Sequence, residues 1–107
     1  MPQPIGRRKT MPWFALIARD RPDGLEHRKT HRPAHLEHMA RLDAAGRLRY
    51  GGPLLGEDGE MKGSLIVLEA DDLDAAKQAY AEDPYIVHAV FESFDIVETR
   101  PIFPRGN

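Results

Sequence analysis

The chain has 107 residues, enough for one domain with one core, yet small enough that a partner subunit would matter to its stability. Fifteen Lys and Arg stand against seventeen Asp and Glu, so no strong field favours nucleic acid or an anionic membrane. The lack of cysteine excludes disulfides, thiolate metal sites and a cysteine nucleophile, and suits an intracellular, cytoplasmic protein; the longest apolar runs, Phe14 to Ala18 and Leu65 to Leu68, are far too short to cross a bilayer.

Residues 1–12 contain Arg7, Arg8 and Lys9 without the apolar segment of a secretory signal, and read as a flexible basic arm. A single domain is expected over 13–103, with a short tail over 104–107. Trp13 to Ala18 is a continuous apolar run closed by Pro22-Asp23-Gly24, the pattern of a buried strand and a turn. Leu25 to Thr30 reads as a loose helical turn. Pro33 marks a helix start, with Arg32 just outside and His35 in the first turn, because proline is tolerated where no backbone N–H is needed. Leu36, Met39, Ala40 and Leu42 carry an apolar stripe towards Gly46, which reads as the residue just past the helix end.

Arg47 to Tyr50 predicts a weaker strand stopped by Gly51-Gly52-Pro53, and Gly56, Asp58 and Gly59 carry the turn chemistry of a hairpin. Ser64 to Ala70 is the clearest strand. Asp71 is the expected cap of a second helix with Leu73, Ala76, Ala79 and Tyr80 on its apolar face, ending before Pro84. Val87 to Val97 reads as a long last strand. The order β-α-β-β-α-β is the ferredoxin-like signature of an α+β fold, with both helices on one face of an antiparallel four-stranded sheet. Consecutive apolar residues in the first and third strands imply that the other face is also buried, which predicts a homodimer through that open face. A monomer with Ile102 and Phe103 folded over the face is the alternative.

This topology gathers the chemically useful residues at one rim: Asp20, His35, Gly52, Pro53, Ser64, Asp83, Tyr85 and His88. A histidine held by a carboxylate is a common general base, since the acid fixes the tautomer and stabilises the imidazolium. Read singly, His35 is better taken as a helix histidine bonded to a carbonyl, and Asp83 as a turn residue satisfying local N–H groups. Arg32 either binds an anionic substrate oxygen or pairs with a surface acid. Gly52 either admits a ligand to the backbone or merely ends a strand, and Ser64 is a hydroxyl donor rather than a nucleophile, having no assigned base. His27, His31, His35 and His38 are spaced for one helix face, but Pro33 places His31 before the helix, and no native metal site is expected. No phosphate-cradling Gly-rich turn precedes a helix, so no organic cofactor is expected either.

The ordered set Gly24-Leu25-Glu26-His27-Arg28, Arg32-Pro33-Ala34-His35-Leu36, Gly46-Arg47-Leu48, Gly52-Pro53, Gly63-Ser64 and Asp83-Pro84-Tyr85 resembles the YciI-like (YCII-related domain) family over about Phe14 to Phe103. The resemblance implies a dimeric α+β barrel with a His-Asp site at His35 and Asp83, and pocket-lining roles for Gly52, Pro53, Ser64 and Tyr85. Dehydrochlorination of a chlorinated hydroxyquinol is the clearest reaction among its members. Together these readings predict a cofactor-independent lyase or isomerase acting by proton transfer on a small cyclic or aromatic compound. A dimeric module that binds a small ligand without turnover, and a purely structural dimerisation domain, are the alternatives.

Overall fold

The structure, a computed structural model, describes residues 11–105. Its elements are β1 (Trp13–Asp20), α1 (Gly24–Ala44), β2 (Leu48–Leu55), β3 (Met61–Glu69), α2 (Leu73–Ala81), α3 (Pro84–Val87) and β4 (Phe91–Thr99). The four strands form one antiparallel sheet in the order β2-β3-β1-β4, and the predicted β-α-β-β-α-β frame is the observed one.

Alternation along the central strands decides where the core lies. Phe14, Leu16 and Ala18 of β1 stand opposite Leu68, Ile66 and Ser64 of β3, and all six are buried under the helices. Leu42, Ala76, Tyr80, Tyr85 and Val90 complete this core, with the Tyr80 hydroxyl shared between the carbonyls of Phe14 and Ile66. On the opposite face, Ala15 aligns with Val67 and Val97, and Ile17 with Leu65. Ile17 and Val97 remain 44% and 46% exposed, so this face is an apolar surface.

The helices depart from the expectation in three places. The first helix begins at Gly24, nine residues before Pro33, which sits inside it on the exposed side. Apolar periodicity fails to show its first half because the buried residues there, Gly24 and Arg28, are not apolar side chains; His38 and Leu42 are buried further along. His35 is therefore mid-helix, and the dipole of the helix N-terminus does not act on it. Secondly, Asp72 rather than Asp71 caps α2, its Oδ1 accepting from the Ala75 N–H at 2.8 Å. Thirdly, the segment after Pro84 is helical before it is extended. Asp83 caps the short α3, proline holds its first position, and the last strand starts at Phe91 rather than Val87.

β2 also runs on to Leu55 through Gly51, Gly52 and Pro53 instead of stopping there. It is an edge strand, where a missing proline N–H costs no ladder bond. At the end of α1, Gly46 adopts φ +74° and the N–H groups of Gly46 and Arg47 close on the carbonyls of Asp43 and Leu42, as its sequence position predicts. Of the expected N-terminal arm, residues 1–10 lie outside the described residues; the Pro12 carbonyl accepts from the Ala70 N–H at 3.1 Å. No helix of the described residues is long and apolar enough to cross a membrane.

Candidate active site

The unbroken α1 brings Arg28, Arg32, His35 and Met39, spaced by four, three and four, onto one face. That face, β2 and β3 enclose a cleft of about 320 Å³, which Tyr85 of α3 also lines. Two depressions of about 440 and 430 Å³ lie elsewhere, around His38 and around Phe94, and neither contains the His35–Asp83 pair.

At the centre of this region the His35 Nδ1 is 2.8 Å from the Asp83 Oδ1, with the two side chains 12% and 1% exposed. A carboxylate only accepts, so the geometry puts the proton on Nδ1 and leaves Nε2 as the basic nitrogen. The same Oδ1 accepts from the Tyr85 N–H at 2.9 Å, because Asp83 is the cap of α3. Its other oxygen, Oδ2, is buried without a partner among the described residues. His35 in turn stacks flat on the Tyr85 ring, 3.9 Å between centroids and 4° between planes, which fixes the imidazole from its face as Asp83 fixes it from its edge. Burial raises the Tyr85 phenol above its ordinary value, so it stays protonated at neutral pH, and its hydroxyl lies 3.4 Å from the Arg28 carbonyl.

Arg28 is the residue that sequence reading passed over. It is only 4% exposed, and its guanidinium holds Asp20 in a bidentate pair through Nε (2.7 Å) and Nη2 (3.0 Å). Nη2 also donates to the Gly63 carbonyl at 2.6 Å and the Ser64 Oγ at 2.8 Å. Nη2 has two hydrogens for these three acceptors, so one is shared, and the Ser64 hydroxyl lies between the guanidinium and the cleft it lines. Spacing from His35 along α1 would have revealed Arg28 had 25–30 been read as helix.

Arg32 is exposed, lines the cleft and has no ion-pair partner among the described residues, unlike the surface pair considered for it. Pro53 and Gly52 line the β2 wall, but the register sets Gly52 opposite Leu65, on the face away from the helices. Gly51, opposite Ile66, is the glycine on the helix side of β2: a Cβ there would come within 2.8 Å of the Met39 Cε, the free end of a side chain that can move aside. Asp20 is consumed by Arg28, and His88 stacks on His31 away from the cleft lining. His31 and His35 do share one continuous helix, correcting the expected break, yet each has a different neighbour. His27 meets Asp23, His38 meets the Ala79 carbonyl, and among the described residues no three His, Asp or Glu side chains are arranged to hold a metal ion.

This fold and cleft define a small α+β domain that carries a histidine–carboxylate pair against a pocket. The chain belongs to the YCII-related domain family, whose profile matches residues 12–100. It is 34% identical over 97 residues to protein YciI of Escherichia coli O6:H1, covering 84% of this chain and 98% of that protein. An uncharacterised protein of Haemophilus influenzae is 30% identical over 97 residues, covering 85% and 99%. The derivative of benzaldehyde biosynthesis cluster protein C of Emericella nidulans is 39% identical over 70 residues, covering 59% of this chain and 71% of that protein. Among solved structures, 5-chloro-2-hydroxyhydroquinone dehydrochlorinase (TftG) from Burkholderia phenoliruptrix AC1100, in complex with 2,5-dihydroxybenzoquinone, superposes with a TM-score of 0.74. The match has 28% sequence identity and covers 82% of this chain and 93% of that one.

Proposed function

We propose that the protein is an enzyme that moves protons on a small, singly ringed polyhydroxy aromatic, with His35 as the general acid/base and Asp83 as its orienting carboxylate. The observation that carries this reading is the 2.8 Å His35–Asp83 bond beside a cleft of one-ring size. Likeness to a dehydrochlorinase bound to a dihydroxybenzoquinone supports the substrate class. Arg32, the one cleft arginine without a carboxylate partner among the described residues, holds a ring oxyanion, and the Ser64 and Tyr85 hydroxyls bind neighbouring oxygens. Met39, Leu48 and Pro53 cover the ring's apolar surface.

Loss of hydrogen halide from a halogenated polyhydroxybenzene balances with proton movements alone. His35 Nε2 takes one hydroxyl proton and returns it to the carbon bearing the halogen. It then takes a second hydroxyl proton as the halide leaves with the carbon–halogen electron pair, and the two O–H pairs become quinone carbonyls. In both steps Asp83 stabilises the imidazolium.

Chloride release from chlorinated trihydroxybenzenes tests the reading. The parent should release chloride, and His35→Gln should slow release by about 10²–10⁴-fold while still binding 2,5-dihydroxybenzoquinone. Quinone binding without turnover in the parent would favour a ligand-binding module instead.

The same reading includes a homodimer through the open sheet face, where the exposed Ile17 and Val97, with the half-buried Leu65 and Val67 beside them, would otherwise face water. Sedimentation velocity should give a dimer for the parent and a monomer for Ile17→Lys at micromolar concentration. A monomeric parent overturns this part alone.

A further inference from the structure

Two flat ring stacks join α1 to the α3 segment. The inner one is His35 on Tyr85. The outer one, a helical turn earlier on α1, is His31 on His88, with 4.0 Å between centroids and 3° between planes. His88 is the residue that ends α3, and Asp83 is the one that begins it. The outer stack therefore grips the far end of the four-residue helix whose near end holds the histidine of the cleft.

The chain behind His88 is under strain. Ala89 adopts φ +54°, a left-handed conformation that a residue with a Cβ rarely takes. Its neighbours close as they do around Gly46, the Ala89 N–H on the Ile86 carbonyl and the Val90 N–H on the Tyr85 carbonyl, and Arg21 Nη1 donates to the Ala89 carbonyl at 3.2 Å.

The charges around the stack are all accounted for. On α1, His27 lies 6.5 Å from His31 and is bonded to Asp23, and His35 is bonded to Asp83. From the turn before α1, Arg21 pairs with Asp23 and reaches Ala89. From the α3 side His88 alone faces His31 among the described residues. Among the described residues no carboxylate lies within ion-pair distance of either His31 or His88. Lost solvation, with His88 and His27 adding to it, holds His31 below the usual histidine value. Its contribution to stability is thus present above about pH 6.5 and is lost as the pH falls below that, because the unfolded chain takes up the proton first.

We propose that His31 and His88 are positioning residues: their stack holds α3, and with it Asp83 and Tyr85, against His35 while both imidazoles are neutral, and releases it when both are protonated. This rests on the reading of His35 and Asp83 as the acid/base pair, but its test needs no substrate. Protection of the Val87 and His88 amides, which bond to the carbonyls of Asp83 and Pro84, reports whether α3 is closed. In the parent, protection factors corrected for intrinsic exchange should fall by on the order of fivefold or more between pH 7.5 and 5, since two like charges about 4 Å apart repel even in water. In His88→Phe, which can stack without charge, that fall should vanish, and His31→Phe should behave alike. His35 is present in every protein compared, so a contrast between them does not come from it. Equal loss of protection in the parent and both variants, or none in the parent, overturns the proposal. If chloride release is absent throughout but the protection contrast appears, the stack is real and the acid/base reading is what fails.

Discussion

Two buried carboxylates meet a basic side chain on the same face of α1, seven residues apart, and they are built differently. At Arg28–Asp20 both carboxylate oxygens are engaged, and the guanidinium goes on to a carbonyl and a hydroxyl, so little bonding capacity remains except at Nη1, which among the described residues has only the Met61 sulfur at 3.9 Å. At His35–Asp83 one carboxylate oxygen and one imidazole nitrogen are left over among the described residues. A saturated pair fixes the fold by joining β1, α1 and β3. An unsaturated pair can gain and lose a proton without dismantling anything, which is what an acid/base group requires.

The largest effect should come from the saturated pair. Asp20→Asn leaves the Arg28 cation buried without its counter-charge, and denaturant unfolding should show a loss of about 3–5 kcal/mol, a large part of the stability of a domain this size. Asp83→Asn is the matching change at the open pair. The asparagine Oδ1 can still cap α3, so the fold should lose no more than about 1–2 kcal/mol. Because an amide cannot stabilise imidazolium and can favour the wrong tautomer, chloride release should fall by about 10²–10⁴-fold. If instead Asp83→Asn unfolds the protein as readily as Asp20→Asn does, the distinction between the two pairs collapses.

The same distinction explains what could be read from sequence. Strands β1 and β3 announce themselves through the runs that hold Phe14, Leu16, Ile66 and Leu68, and Gly46 marks the end of α1, because a short continuous apolar run and glycine at a left-handed turn are local signals. Asp83 and His35 were legible through the ordered motifs. The route by which they meet was not, since the first half of α1 buries Arg28 rather than leucine, and Pro33 looks like a beginning when it stands in a helix interior. α3 escaped for a related reason. Four residues are too few for a period, and its cap and its proline are also what a turn would use.

Tyr85 links the two pairs, and it sharpens the comparison most finely. Its ring lies flat on His35, and the Arg28 guanidinium stands 5.2 Å from its centroid, while its hydroxyl makes a single long contact to the Arg28 carbonyl at 3.4 Å. If the ring does the positioning, Tyr85→Phe keeps both contacts and removes only that weak bond. Stability should then change by less than about 1 kcal/mol. Loss of the hydroxyl as a substrate donor should appear as a several-fold rise in KM with kcat held, the signature of binding that is equal in ground and transition states. A kcat that falls as far as that of Asp83→Asn would instead make the phenol a proton carrier, and the unsaturated pair would have to be redrawn as a triad of His35, Asp83 and Tyr85.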